Sequence, residues 1–364
     1  MPLRQEPIEQ LTSPEAMRGF VEGVDNLNAY FRTNSGNRLT VAEEQLTQSL
    51  AADPDFAPAQ YYKAIVLTHA RKADYAVALL ENLAGKKTSF EIEILYNLTF
   101  AYAKTYNHDN VAKALLVIDQ AKGLAISQQQ VDMELLIHAM KAFVMAVYGG
   151  LELRCLDNFD GRKQTYLPRA AELADWVLTN EKLKGVAPET AKTVKVEANN
   201  AAGIAYMYMG KFSELLKKET ESCWQKSEGY YEAARRLHAR DVRVLDNLAT
   251  LYLMRASRAW RDQHREEEVK RQAEAANTLI MEALSYNPHD QFRHYLEARV
   301  FALLKDTKSA LAAVRKMRHE PGVFKKERID DLEMAIRKRD LTKVVELPEE
   351  KKVTEATLQP KSEA

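Results

Sequence analysis

The chain has 364 residues, in which 52 Lys and Arg residues balance 52 Asp and Glu residues, so its formal net charge is zero. A neutral chain is not built mainly to hold nucleic acid or an anionic membrane, although it can still carry a local basic patch. Two Cys residues exclude a disulfide scaffold, and a hydrophobic content of 46% excludes global disorder. Gly and Pro make up about 7% of the residues, against about 12% on average, which favours a mostly helical chain.

The N-terminal segment 1–14 is polar and carries three prolines, and it predicts a flexible arm. It lacks the apolar stretch of a secretory signal peptide, and no run of about 18 apolar residues follows it. The sequence therefore predicts a cytoplasmic protein without a membrane span. Ser13 followed by Pro14 marks the start of the first helix, with the serine side chain as its cap.

Residues 15–345 predict one helix after another, because no window alternates apolar and polar residues for long enough to form a strand. Short breaks separate the helices, among them residues 149–150 and 287–290. Near the end, residues 324–339 predict a capping helix. The polar segment 346–364 has little to bury and predicts a disordered tail.

A repeated spacing of small and large residues runs through the helical part. In the clearest unit the first helix carries Leu245, Leu248, Ala249 and Tyr252, and the second carries Ala276, Ile280, Ala283 and Pro288. Partial copies of these spacings lie at Ala42, Leu46 and Pro54, at Ala114, Ile118 and Ala121, at Gly203 and Tyr206, and at Ala298 and Phe301. Small residues let a neighbouring helix come close, and one helix pair cannot bury its face alone, so the pairs are expected to stack.

This pattern resembles the tetratricopeptide repeat (TPR) family over residues 17–320, as about seven helix pairs. The resemblance implies an all-α, right-handed α-solenoid with a C-terminal capping helix. The chain departs from the family pattern in lacking its leading Trp. Segments 213–226 and 255–272 also predict helices longer than the family norm, and the register of the fourth pair, 128–148 with 167–182, stays open.

The residue types that carry chemistry do not combine into a recognisable catalytic or metal site. The eight His residues show no metal-ligand spacing, and Cys155 and Cys223 are far apart. Gly210 and Lys211 lack the strand and the hydroxyl residue of a phosphate loop. The run 266–268 of three Glu residues lies among Arg and Lys residues and predicts a solvated helix. The sequence therefore predicts a protein that is not an enzyme and that holds no cofactor or metal.

The resemblance also implies that the first helix of each pair lines a concave groove. The groove positions are rich in aromatic and Met side chains, and such side chains mark partner sites when they are exposed. The alternative is that tight superhelical winding or the longer helices bury them. The predicted partner-binding residues are Lys63, Arg71, Tyr96, Phe100, Lys104, Met207, Tyr208, Phe292, Tyr295 and Arg299.

The function predicted from these residues is a non-catalytic scaffold or adaptor that binds a peptide or helix of a partner protein. The aromatic and Met residues would bury apolar anchors, and the Lys and Arg residues would select acidic or carboxylate groups. Two alternatives stay open: a silent subunit that completes a partner enzyme, or an adaptor that binds nucleic acid through a C-terminal basic cluster. That cluster comprises Arg315, Lys316, Arg318, Lys325, Lys326 and Arg328, and acidic neighbours dilute it. The oligomeric state and the partner's identity stay open.

Overall fold

The structure is a computed structural model that describes residues 12–86, 88–154, 165–216, 218–262, 265–320 and 324–345. Every regular element in these ranges is a helix, and none of the described residues forms a strand. The all-α fold predicted from the sequence is therefore confirmed. The tail 346–364, most of the arm 1–14, and Cys155 lie outside the described residues.

The first of two compact units ends at His238 and contains five helix pairs. Their helices are α1 Pro14–Thr33, α2 Gly36–Ala52, α3 Ala57–His69, α4 Ala73–Ala84, α5 Glu91–Lys104, α6 His108–Ser127, α7 Val131–Arg154, α8 Tyr166–Thr179, α9 Pro188–Leu215 and α10 Glu221–Leu237. Each helix packs on the next one along the chain, and the first helices of successive pairs also touch: α1 on α3, α3 on α5, α5 on α7 and α7 on α9. The first helices therefore form a continuous row.

The second unit begins at Ala239 and contains two helix pairs followed by two shorter helices. Its helices are α11 Val242–Arg261, α12 Glu266–Tyr286, α13 Gln291–Leu303, α14 Thr307–His319, α15 Lys326–Arg337 and α16 Leu341–Val345. Helix α15 is the capping helix that the sequence predicts over 324–339, whereas α16 is not predicted as a separate helix. Helix α13 contacts both α11 and α16. The described part of the chain thus holds seven helix pairs, as expected, divided between two units.

The helix ends explain how the chain folds with so few glycines. The predicted cap at Ser13 is present, since its Oγ accepts a hydrogen bond from the Ala16 backbone N–H over 3.1 Å. At the far ends of α1, α3 and α5 the chain turns at Asn34, Arg71 and Tyr106, whose φ angles are 55°, 61° and 50°. This left-handed conformation is usually filled by glycine. Residues with side chains therefore close these turns in place of glycine.

The predicted break at residues 149–150 is wrong, because α7 continues through both glycines to Arg154. A Cβ atom added at Gly149 would lie 2.7 Å from the Leu167 side chain of α8. One added at Gly150 would lie 2.5 Å from the Tyr208 ring of α9. These glycines allow two neighbouring helices to approach α7, so they mark a close packing contact and not a turn.

Segment 213–226 is divided between two helices, of which the first is long, as the sequence predicts. Helix α9 is long, with 28 residues, but it ends at Leu215, and α10 begins at Glu221. The turn is required because α10 folds back to place Trp224 against Gly210 of α9. The Trp224 indole N–H donates to the Met207 carbonyl over 3.2 Å. Segment 255–272 is also divided, between the end of α11 at Arg261 and the start of α12 at Glu266, and both helices are long, as predicted, with 20 and 21 residues.

Helix α7 is the longest apolar helix of the first unit to pack on four neighbouring helices. Over residues 131–153 it is long and apolar enough to cross a membrane by length and composition, although the sequence predicts no span. Within the folded unit 83% of this apolar window is buried, against α5, α6, α8 and α9. A core helix that packs on four neighbours is apolar on all sides because apolar side chains surround it, just as lipid surrounds a membrane helix.

We expect Gly203→Ala to destabilise the first unit by about 1–3 kcal/mol. The added methyl group would lie 2.5 Å from the ring of Tyr231, which is fully buried and cannot move aside. The matched control is Gly229→Ala on α10, where nothing lies within 4 Å of the new Cβ and alanine is favoured over glycine by about 1 kcal/mol. Denaturant unfolding followed by circular dichroism measures both, and equal midpoints for the two variants would contradict the packing argument.

Candidate functional site

The row of first helices in the first unit carries a line of aromatic side chains, here called the aromatic strip. It consists of Phe31 on α1, His69 on α3, Phe100 on α5 and Phe143 on α7. Successive ring centroids lie 5.1, 5.8 and 6.0 Å apart, in edge-on and tilted arrangements. These are the geometries in which aromatic quadrupoles attract one another. Four successive helix pairs thus each contribute one ring.

Lys104, at the end of α5, lies over this strip. Its Nζ is 5.2 Å from the Phe100 centroid, 5.4 Å from that of Phe143 and 6.0 Å from that of Tyr106. Such contacts stabilise an ammonium group while leaving its three N–H donors available. Among the residues that the structure describes, no carboxylate pairs with Lys104. Because Lys104 is half-exposed and Tyr106 is 52% exposed, this end of the strip is accessible.

The structure brings two of the predicted residues, Phe100 and Lys104, into direct contact. Tyr96, one turn earlier on α5, is buried, and Lys63 is half-buried on α3. Arg71 is exposed in the turn after α3. The neighbouring Asn97 is already engaged, since its Nδ2 donates to the Tyr61 hydroxyl over 2.8 Å and so ties α5 to α3. Burial raises the pKa of Tyr61 well above its usual value, so this phenol stays neutral.

Sequence reasoning missed His69, Phe31 and Phe143. The repeat register assigned Leu67 and Arg71 to the groove of α3, and His69 lay between them without a role. Phe143 lies in the first helix of the fourth pair, for which the sequence predicts no groove residues. The spacing along one helix shows which residues share its face, but it does not show which ring of the next helix lies opposite.

The two predicted residues of α9 lie in different packing layers. Met207 is buried between α9 and α10, where its sulfur is 3.9 Å from the Tyr231 hydroxyl. Tyr208 is half-buried, and its ring lies against Gly150 of α7. Met207 is therefore buried by the chain itself, which is the alternative to a partner site.

In the second unit, the predicted residues Phe292, Tyr295 and Arg299 share one face of α13. The Phe324 ring, just before α15, lies 4.7 Å from that of Tyr295 and 6.4 Å from that of Phe292. The Arg299 Nε donates to the Val344 carbonyl of α16 over 3.1 Å. The chain's own C-terminal segment therefore covers this face, and Tyr295 and Arg299 are buried.

Helix α13 also buries two groups of charged side chains. Arg293 forms a two-point contact with Asp246 of α11, at 2.9 and 3.3 Å. His294 has an oxygen acceptor at each ring nitrogen, the Glu297 carboxylate at 2.8 Å and the Pro288 carbonyl at 2.9 Å. Burial would raise the pKa of Glu297, but the hydrogen bond from His294 and the charge of Lys316 outweigh it and lower that pKa.

A cleft of about 580 Å³ lies between α6, α7 and α8. It contains none of the predicted partner-binding residues, and its floor is apolar. Its lining residues are Leu115, Asp119, Lys141, Met145, Tyr166, Arg169, Glu172 and Leu173. Lys141 and Asp119 pair with each other across it at 2.5 Å, so the cleft offers no strong field of one sign.

Within the described ranges, no group of three or more His, Cys, Asp or Glu residues could hold a metal ion. The acidic run 266–268 is paired instead, with Glu266 reaching Lys305 at 2.6 Å and Glu268 reaching Arg271 at 2.7 Å. These contacts agree with the solvated, ion-paired helix that the sequence predicts there. His264 lies outside the described residues.

No protein-family model matches the chain, and no curated protein matches it. Solved structures are similar in fold at low identity. A tetratricopeptide repeat protein from Parabacteroides merdae is 14% identical, over 88% of this chain and 99% of that one, with a TM-score of 0.43. The TPR2AB domain of yeast Sti1, solved as a complex with pHSP90, is 13% identical over 90% and 98%, with a TM-score of 0.26. Yeast Tom70 is 12% identical over 90% and 81%, with a TM-score of 0.23.

All of these TM-scores are below 0.5, so these structures do not superpose closely on this chain. The helix contacts within the chain itself define its fold. Those contacts are TPR-like in the order of their pairs and in the row of first helices.

We expect acid to destabilise the second unit through Glu297. Its pKa in the folded chain lies below the ordinary value of 4.5, so the carboxylate contributes stability above that pH and loses the contribution as pH falls through the folded pKa. Calorimetric melting of the chain between pH 6 and pH 3 measures the effect. Glu297→Gln should flatten the low-pH decline, and the exposed Glu267→Gln on α12 is the control. Parallel curves for wild type and Glu297→Gln would refute this assignment.

Proposed function

We propose that the chain is a protein-binding scaffold of TPR-like helix pairs, and that its first unit binds a partner segment carrying a carboxylate beside an apolar side chain. Lys104 carries this proposal. Its ammonium group lies over three aromatic rings, on the row of first helices, without a carboxylate partner among the described residues.

Two other lysines of the same unit, Lys72 and Lys182, are paired with carboxylates of neighbouring helices. Lys72 reaches Glu43 at 2.7 Å, and Lys182 reaches Glu134 at 2.9 Å. Like Lys104, Lys63 on α3 has no such partner within the part of the chain that the structure describes. Aromatic surroundings remove water from one side of the Lys104 ammonium. A carboxylate from a partner would therefore gain a stronger, charge-assisted contact there than at a fully hydrated lysine.

The aromatic strip provides the apolar half of the proposed site. Phe100 and Phe143 are buried and form its floor, whereas Phe31 and His69 are half-buried and Tyr106 is exposed. The accessible rings are the ones that a partner side chain would contact. Aromatic rings contribute large contact areas at low entropic cost, which is why they dominate protein interfaces. Of the residues predicted from the sequence, the proposed site thus keeps Lys63, Phe100 and Lys104. The other rings of the aromatic strip and Tyr106 are added to it.

The contacts of the C-terminal basic cluster favour a protein partner over nucleic acid. Arg318 pairs with both Asp330 and Glu333 at 2.5 Å, and Lys316 reaches Glu297 at 3.3 Å. The Arg328 guanidinium lies 5.5 Å from the Phe324 centroid. Half of the cluster is therefore engaged in holding α14 and α15, and we propose a structural role for it. The cytoplasmic location and the lack of catalysis stay predictions.

Peptide display on the full chain tests the site, with Lys104→Ala as the main variant. We expect the selected peptides to carry Asp, Glu or a free C-terminal carboxylate near an apolar residue. Lys104→Ala should weaken their binding by about tenfold or more, equivalent to about 1.4 kcal/mol, while Lys104→Arg keeps part of it. Lys72→Ala removes the same charge from a paired lysine and should leave affinity unchanged. Titration by fluorescence anisotropy at low and high salt gives the values.

Selected peptides that bind Lys104→Ala as tightly as wild type would show that the site lies elsewhere. Copurified nucleic acid whose binding depends on Arg315 and Lys326 would instead support the alternative. Phe100→Ala with Tyr208→Ala removes packing as well as predicted contacts, so Tyr106→Ala is the cleaner test of the aromatic half. We expect Tyr106→Ala to reduce affinity without changing the helical signal.

A further inference from the structure

The inner face of α13 is occupied by the chain itself, through α16. Arg299 is only 2% exposed and Val344 only 1%. The Arg299 Nε donates to the Val344 carbonyl over 3.1 Å, and its guanidinium lies 5.5 Å from the Tyr295 centroid. An apolar side chain and a main-chain oxygen of α16 thus fill positions where the sequence predicts a partner's apolar and carboxylate groups.

Helix α15 is attached much more firmly than α16. It buries Ile329, Leu332, Ala335 and Ile336. The segment before it is fixed by Gln291, whose Nε2 donates to the Met317 carbonyl over 3.0 Å and whose Oε1 accepts from the Phe324 N–H over 2.8 Å. These contacts make α15 an integral cap of the second unit.

Helix α16 has five residues, and among its described side chains only Val344 is buried. Leu341 is half-buried, while Thr342 and Lys343 are exposed. It is joined to α15 by a turn in which Arg339 adopts a left-handed φ of 52°. A five-residue helix that lies beyond such a turn, and that buries one of its described side chains, can leave without disturbing α15.

We propose that α16 is an internal ligand of a second binding surface on α13, and that a segment with an apolar side chain and a carboxylate displaces it. The surface comprises Phe292, Tyr295 and Arg299. A carboxylate would form an ion pair with the Arg299 guanidinium, and an ion pair is stronger than a hydrogen bond from that group to a neutral carbonyl such as that of Val344. The apparent affinity of this surface is its intrinsic affinity multiplied by the fraction of molecules in which α16 has left it. The proposal does not depend on Lys104 or on the first unit.

The direct test compares two shortened chains, one ending at Asp340 and one ending at Val345. Both lack the tail, so they differ only in α16. The probe is a fluorescein-labelled peptide of residues 338–344 with a free C-terminal carboxylate. We expect the chain ending at Asp340 to bind it at least tenfold more tightly than the chain ending at Val345. Amidating the peptide should weaken binding roughly tenfold. Arg299→Met should remove binding, and Lys104→Ala should leave it unchanged.

A full-length pair of variants separates release of α16 from loss of structure. Val344→Lys places a cation beside Arg299 and should release α16, so that the full chain binds the peptide like the chain ending at Asp340. Thr342→Lys adds the same charge at an exposed position of α16 and should behave like wild type. In hydrogen exchange, the α16 amides of wild type should exchange faster than those of α13.

Several results would overturn the proposal. One is a chain ending at Asp340 that is folded yet binds the peptide no better than the chain ending at Val345. Another is binding that survives Arg299→Met, since the contact would then lie elsewhere. Loss of the helical signal in both Val344→Lys and the chain ending at Asp340 would show that α16 is an integral part of the unit and not a displaceable ligand.

Discussion

The packing of α7, α9 and α10 depends on close contacts between a glycine of one helix and a large ring of another. Tyr231 lies on Gly203 and Trp224 on Gly210, both between α9 and α10, and Tyr208 lies on Gly150 between α9 and α7. No helix pair can bury its apolar face alone. Because the missing side chain lets two backbones approach, each ring fills the space that the glycine leaves, and the pairs stack one after another.

The same stacking fixes what the first helices can offer to a partner. In the first unit it aligns one ring from each of four pairs and leaves the Lys104 ammonium over them, with an accessible side. In the second unit the equivalent helix, α13, is enclosed. Its Arg293 is neutralised by Asp246, and its Arg299 is covered by Val344. One architecture thus gives an open cationic site in one unit and a self-covered site in the other.

The even balance of charges in the sequence does not show which charged side chains are exposed and which are buried. Opposite charges usually lie on solvated faces, as at Lys305 with Glu266. On α13, however, charged residues are buried and hydrogen-bonded, and breaking such a pair costs about 3–5 kcal/mol. Buried pairs of this kind fix the position of α13 against α11, which in turn fixes the surface that α16 covers.

The sequence by itself determined the helical class, the order of the helix pairs and the cap at Ser13, and it placed Phe100 and Lys104 on one face of a helix. These features follow from spacings between residues that are close in the chain. Only the tertiary structure decided that residues 149–150 continue a helix, that His69 and Phe143 join Phe100, and that Val344 covers Arg299. Each of these depends on which residue of another helix lies opposite. That pairing is set by packing between segments that lie far apart in the chain, and a local pattern does not record it.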